Sequence, residues 1–303
     1  MAKTGRSPKT VELEGPYAHQ MLHTRGLRLH AATAGDPSGP LVLLLHGTFG
    51  GWFDFADILE PLAARGFHVA ALDMRGYGMS DKPAQRGGDE TLLAVGDVKG
   101  AIATLGHRSA VLAGADTGGS VAWATAAAHP GLVAGLVSVS AAHPADLRRS
   151  MASHPWDFLP LLGRLALSRL PAGAFPSGAK ERAYRRNLLL NTDGGFHGTG
   201  RFDSTLDLRL RASEIDSAGP YIAANTRLLT RRAPAGPVTA PTLLLHAPLA
   251  LWGPVATRQR RRLRGPVTEA SIEGTKNLPH IERPAAFAET VARFATSLRP
   301  PRP

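Results

Sequence analysis

An aspartate set among small residues is the strongest chemical signal in this sequence. Asp116 lies in Gly114-Ala115-Asp116-Thr117-Gly118-Gly119, directly after the apolar run 109–115 and before a stretch that predicts a helix to about residue 129. Small neighbours allow a tight strand-to-helix turn that leaves the central side chain exposed. A carboxylate held there can attack an alkyl carbon and form an ester. An aspartate that only caps the following helix is physically reasonable but leaves the glycines unexplained, so Asp116 is our candidate nucleophile.

Two segments upstream of Asp116 strengthen this interpretation. The first, His46-Gly47-Thr48-Phe49-Gly50-Gly51-Trp52, follows a short apolar run. Backbone N–H groups after such a His-Gly pair and after the nucleophile can hold developing negative charge, which makes Thr48 and Thr117 the expected donors. The second segment runs from Asp73 to Pro83 and is rich in glycine.

The elements that must position these residues alternate between strands and helices. Such alternation predicts a mostly parallel sheet covered by helices on both faces. Residues 145–235 interrupt the rhythm, and we interpret them as a helical cap inserted between two parts of a core domain, 1–144 and 236–303. Short apolar or alternating runs predict eight strands at residues 17–23, 27–34, 41–45, 67–73, 109–115, 133–140, 241–246 and 267–272.

With these segments in view, the chain resembles the epoxide hydrolase and haloalkane dehalogenase branch of the α/β-hydrolase superfamily, over about residues 40–145 and 240–297. The resemblance implies the α/β-hydrolase fold, with an eight-stranded, mostly parallel sheet and a helical cap. Dehalogenases place a halide-binding tryptophan where Thr117 stands, and epoxide hydrolases place a proline where Phe49 stands. Epoxide hydrolases also use tyrosines of the cap as proton donors, and the resemblance offers Tyr184 or, by preference, Tyr221. Either tyrosine can equally be a packing residue with a satisfied hydroxyl.

The same resemblance implies that the catalytic triad is degenerate. The family's histidine falls on Asn277 when the chain is aligned through Pro279, His280, Glu282 and Pro284, and His280 then matches a second, non-catalytic histidine. The family's acid falls on Ala250 in His246-Ala247-Pro248-Leu249-Ala250. No carboxylate follows the sixth strand either, where the chain reads Ser140-Ala141-Ala142-His143.

An ester on Asp116 is hydrolysed only if a base takes a proton from water, and asparagine cannot accept that proton near neutral pH. Two hypotheses follow. The first is an inactive or impaired pseudo-hydrolase that binds a small apolar ligand in the cap cleft or a partner protein. The second is an active epoxide-hydrolase-type enzyme with a displaced base, for which His280, His246 and His143 are the candidates. A non-hydrolytic acid/base role for Asp116 is a third, weaker possibility. Without an imidazolium nearby, we expect burial to raise the pKa of Asp116.

Composition limits the remaining classes. The chain has a net charge of +11, carried mainly by arginine, and its densest basic run lies at residues 258–264. Arg258, Arg261 and Arg262 could form a basic docking surface, but we favour a solvated helix face, and no nucleic-acid motif accompanies them. Cysteine is absent, no apolar stretch is long enough to span a bilayer, and residues 1–15 do not resemble a secretory signal. We therefore expect a cytoplasmic, or membrane-peripheral, protein that needs no cofactor or metal.

Overall fold

A computed structural model of the chain describes residues 5–84, 88–170 and 178–298. Its centre is an eight-stranded sheet with strand order β1-β2-β4-β3-β5-β6-β7-β8. The first two strands pair as an antiparallel hairpin, β2 pairs antiparallel with β4, and all other neighbours are parallel. The strands are β1 (Ala18–Thr24), β2 (Leu27–Ala34), β3 (Leu41–Leu45), β4 (His68–Leu72), β5 (Ala110–Ala115), β6 (Val133–Val139), β7 (Thr242–Leu245) and β8 (Val267–Ala270).

Helices cover both faces of the sheet, which explains why the central strands are apolar on both sides. They are α1 (Ala56–Ala63), α2 (Glu90–Thr104), α3 (Asp116–Ala128), α9 (Trp252–Arg262), α10 (Pro279–Glu282) and α11 (Pro284–Ser297). One core cluster holds Phe287 and Val291 of α11 together with Ile58 of α1. The other holds Val98 of α2 and Trp123 of α3. Because each cluster covers one face, every residue of β3, β4 and β5 is buried, as expected for parallel strands.

In the described residues between β6 and β7, where the cap is predicted, there are five α-helices. They are α4 (Pro144–Ser153), α5 (Leu159–Leu167), α6 (Ala179–Asn191), α7 (Gly200–Ser213) and α8 (Ala218–Leu228). We keep the name cap for residues 145–235, and its boundaries remain a prediction. A buried ion pair joins the cap to the core, since Arg209 of α7 contacts Asp54 at 2.9 Å and their side chains are 5% and 1% exposed. Within the described ranges no helix is both long and apolar enough to cross a bilayer.

Candidate active site

The strand order reverses at β3 and β5, and their carboxyl ends therefore form the crevice in which open α/β sheets bind ligands. Asp116 begins α3 at this point with a backbone φ of 49°. A non-glycine residue in that region is strained by about 1–3 kcal/mol, as at other functional turns. A Cβ on Gly118 would lie 2.3 Å from the Leu45 carbonyl oxygen, so the turn admits no side chain there. The glycine pattern thus reflects close packing of β3 against the start of α3.

The loop after β3 brings the first hydrogen-bond donor to Asp116. The Thr48 N–H donates to Oδ2 of Asp116 at 3.0 Å, and a Cβ on Gly47 would lie 2.9 Å from the Asp116 Cβ. The His46 ring supports this loop, because its Nδ1 bonds the Gly47 carbonyl at 2.8 Å and its Nε2 accepts from the Met74 N–H at 3.1 Å. This pattern requires the neutral Nδ1–H tautomer, and burial correspondingly lowers the pKa of His46. The hydroxyl groups of Thr48 and Thr117 lie 3.4 Å apart.

The second partner of Asp116 comes from the cap and is absent from the sequence-based expectations. Arg164 of α5 donates from Nη2 to Oδ1 of Asp116 at 2.7 Å, and the two side chains are only 17% and 26% exposed. The Arg164 guanidinium also lies 5.6 Å from the centre of the Phe49 ring. Both oxygens of Asp116 are therefore held, one by the core and one by the cap.

This contact corrects the expected pKa of Asp116. Burial alone raises that pKa, but the charge and hydrogen bond of Arg164, together with the Thr48 N–H, outweigh burial and hold it below its usual value. The expectation was wrong because a guanidinium takes the place of the missing imidazolium. Asp116 is consequently a carboxylate at neutral pH.

Asn277 makes its side-chain hydrogen bonds away from Asp116. Its Oδ1 accepts from the Trp252 indole N–H at 2.9 Å, and its Nδ2 donates to the Asn191 side chain at 2.9 Å. The Asn277 N–H also donates to the Asn191 carbonyl at 2.9 Å. Since Asn191 ends α6 in the cap and Trp252 begins α9 in the core, Asn277 joins the two parts of the molecule.

Ala250, which the sequence comparison aligns with the family's acid, is exposed in the turn before α9. His246, four residues earlier, stacks on Trp252 with ring centres 4.8 Å apart, and burial lowers its pKa to about 4. The structure thus places His246 against the tryptophan that binds Asn277.

The two other candidate bases are also engaged elsewhere. His280 is buried and stacks on Phe55 with ring centres 5.0 Å apart, and both of its ring nitrogens lack a hydrogen-bond partner. Burial lowers its pKa to about 4. His143 bonds the Pro234 carbonyl at 2.8 Å and accepts from the Ala145 N–H at 3.2 Å. In the part of the chain that the structure describes, none of the three histidines forms a hydrogen bond with Asp116.

The favoured cap tyrosine does not reach this site. The Tyr221 hydroxyl donates to the Pro83 carbonyl, and its ring lies against Gly76 in the loop after β4. Tyr184, the other cap tyrosine, is instead buried against Phe49, with ring centres 4.7 Å apart. Since Arg164 contacts the same Phe49 ring, Tyr184 is the cap tyrosine in the neighbourhood of Asp116.

Most arginines of the run at 258–264 form contacts with other residues of the chain. Arg262 forms a bidentate pair with Asp146, with N···O distances of 2.7 and 2.8 Å, and its side chain is 10% exposed. Arg260 pairs with Glu269, and Arg258 donates to the Ser153 hydroxyl. Arg262 therefore cannot belong to the expected docking surface, and Arg261 remains as its exposed member.

Comparison with known proteins agrees with this architecture. A family model described as the α/β hydrolase fold matches residues 40–181. Epoxide hydrolase 4 of Mus musculus is 33% identical over 141 residues, which are 46% of this chain and 39% of that protein. Epoxide hydrolase B of Mycobacterium tuberculosis is 40% identical over 124 residues, 40% of this chain and 35% of that protein. The matches thus span less than half the length of these curated relatives.

The solved structure of epoxide hydrolase A from Mycobacterium thermoresistibile extends the likeness to almost the whole chain. It covers 93% of this chain and 99% of its own, with a TM-score of 0.75 at 23% identity. The sheet order, the strained aspartate after β5 and these similarities lead to one conclusion. The chain has the α/β-hydrolase fold and is similar to epoxide hydrolases.

Proposed function

We propose that this protein binds a small, uncharged ligand beside Asp116 and does not hydrolyse it. The observation that carries the proposal is the pair formed by Asp116 and Arg164, 2.7 Å apart and mostly buried. Attack through Oδ1 requires Arg164 to move, and attack through Oδ2 requires loss of the Thr48 N–H. The carboxylate is thus held in place by two donors and faces no base among the described residues.

The surroundings of Arg164 support a ligand with an oxygen acceptor. Its Nε is buried without a hydrogen-bond partner in the described chain, which leaves one strong donor unused. An unsatisfied buried donor is unfavourable, and an ether, hydroxyl or carbonyl oxygen would satisfy it. The aromatic rings of Phe49 and Tyr184 supply an apolar wall next to the guanidinium. The charges of Asp116 and Arg164 cancel, which favours an uncharged ligand.

The second candidate function is hydrolysis of an epoxide through an ester on Asp116. The names of the relatives and the low pKa of Asp116, which keeps it anionic, favour it. Epoxides are therefore the first compounds to test. Attack by a carboxylate oxygen would break one C–O bond of the ring, and the released oxygen would take a proton from a nearby donor or from water. Hydrolysis of the resulting ester would still need a base that no described residue supplies.

The experiment measures diol formation from styrene oxide and the intact mass of the protein, for the wild type and Asp116→Asn. We expect no diol above the Asp116→Asn background. Diol formation in the wild type that Asp116→Asn abolishes would establish the enzyme and refute the proposal. An adduct of one epoxide that Asp116→Asn abolishes, without diol, would show that the nucleophile reacts and only its release is blocked.

Ligand binding is tested separately by thermal shift with styrene oxide and with its diol. Arg164→Gln should abolish the shift, because it removes the charge and the Nε–H donor. Arg149→Gln is the matched control, since Arg149 lies on the neighbouring α4 with its side chain 69% exposed. An equal shift in all three proteins would show that the ligand binds elsewhere.

A further inference from the structure

The segment Pro155–Leu170 of the cap is apolar on two opposite faces. It comprises a short 3-10 helix (Pro155–Phe158), α5, and the turn that ends at Leu170. Its inner face packs into a cluster with Trp252 and Val255 of α9, to which the segment contributes Phe158, Leu161, Leu162 and Leu165. Through this inner face, α5 packs against the rest of the molecule.

The outer face carries four large apolar side chains that are about half exposed or more. Trp156 is 79% exposed, Leu159 52%, Leu167 50% and Leu170 49%. Within α5, Leu159 and Leu167 lie about 80° apart around the helix axis at about 100° per residue, and Gly163 falls between them. Trp156 lies in the 3-10 helix that precedes α5, and Leu170 lies just after the turn that follows it.

Within α5 itself, no solvated polar face separates the two apolar ones. The only charged residue of α5 is Arg164, and its guanidinium is directed at Asp116. A helix that is apolar all round is normally buried or in contact with lipid. Contiguous exposed apolar residues of this size mark an interaction surface.

The protein as a whole is strongly cationic, with a net charge of +11. Arg169 and the acidic residue Asp157 are exposed within the segment itself. Arg149, on the preceding helix α4, is exposed as well.

We propose that the outer face of Trp156, Leu159, Leu167 and Leu170 docks onto an anionic lipid surface. Exposed tryptophan and leucine in a short helical segment that also carries an exposed arginine, here Arg169, are features of segments that lie in the interface of a bilayer. Arginines near such a surface are attracted by anionic headgroups. A protein partner would be recognised by the same apolar residues but would not require anionic lipid, and a second copy of this chain would bring the same positive charge.

The binding test uses co-sedimentation of the full chain with vesicles. We expect binding to phosphatidylcholine vesicles that contain 30% phosphatidylglycerol, and little binding to phosphatidylcholine alone. The double variant Leu159→Ser, Leu167→Ser should bind the anionic vesicles at least about tenfold more weakly, from the apolar area lost. Leu92→Ser is the matched control, because Leu92 is 54% exposed but lies on α2 of the core.

Tryptophan fluorescence locates the contact. The other three tryptophans of the chain are buried, so a blue shift on adding anionic vesicles should come from Trp156. Trp156→Phe should keep the binding and lose the shift. The proposal is overturned if the double variant binds vesicles as well as the Leu92→Ser control does. It is also overturned if the wild type is a dimer without lipid and the double variant is a monomer, because the outer face would then be an interface between copies.

Discussion

Replacing Arg164 by leucine tests whether the pair with Asp116 stabilises the packing of the cap on the core. Removing one partner of a fully buried ion pair costs about 3–5 kcal/mol. Here Asp116 keeps 26% exposure and the Thr48 N–H, so we expect a smaller loss, of about 2 kcal/mol. That loss corresponds to a fall of about 3 °C in Tm for a chain of this size.

The unfolding free energy lost in Arg164→Leu should depend on pH in a direction that can be derived. Asp116 has a lowered pKa in the folded protein, so it contributes stability above its unfolded value of about 3.9, and this contribution is lost as the pH falls through the folded pKa. In Arg164→Leu burial is no longer opposed by the guanidinium, and the pKa of Asp116 should rise. The difference in unfolding free energy between wild type and variant should therefore be largest near pH 7 and shrink towards pH 4.

Urea unfolding of Arg164→Leu, Asp116→Asn and the double variant measures the coupling directly. Asparagine suits this position because it tolerates the positive φ of residue 116. We expect a coupling of about 2 kcal/mol at pH 7. The exposed pair of Arg6 and Glu214, with side chains 54% and 44% exposed, is the control and should show a much smaller coupling. A coupling near zero for Arg164, or a loss independent of pH, would refute the reasoning.

Three further predictions concern the cap and the missing triad. Asn277→Ala should lower the free energy of unfolding by about 1–3 kcal/mol, because both partners of its side chain lose a hydrogen bond; an unchanged urea midpoint would contradict this. Arg209→Met should cost about 3–5 kcal/mol, because it leaves Asp54 charged and buried, and a thermal melt like that of the wild type would contradict it. The triple variant Asn277→His, Ala250→Asp, Arg164→Leu should hydrolyse styrene oxide. None of the three single variants should do so, because the members of a triad act as a unit. Equal diol formation in the unmodified protein would mean that another residue is the base.

The sheet could be predicted from sequence because its signals are local. The run Leu41–Leu45 and the apolar residues before Asp116 are short, bounded by turns and apolar throughout, as strands buried on both faces must be. The same holds for the core face of α11, where Phe287, Val291 and Phe294 are buried at helical spacing. In each case the pattern of apolar residues in one segment is enough to predict which of its side chains are buried.

The contacts of the site depend instead on how the cap helices settle on the core. Whether Tyr184 or Tyr221 faces Asp116 depends on the rotation and position of α6 and α8, which sequence spacing does not determine. Of the two aromatic partners of His280, Phe287 lies on the next helix, but Phe55 comes from a distant part of the chain. The sequence predicts that Asn277 stands where the family has its histidine, but its contacts between cap and core are seen only in the structure, where Asn191 and Trp252 bind its side chain.

A signal for Arg164 does exist in the sequence, in the composition of α5. A lone charge in an otherwise apolar helix has no polar face of its own to occupy, so it must either reach solvent at an end or find a buried partner. In α5 it finds Asp116, so the only charged side chain of this helix is directed into the molecule. Anything that binds the outer face of α5 also contacts the helix that holds Asp116.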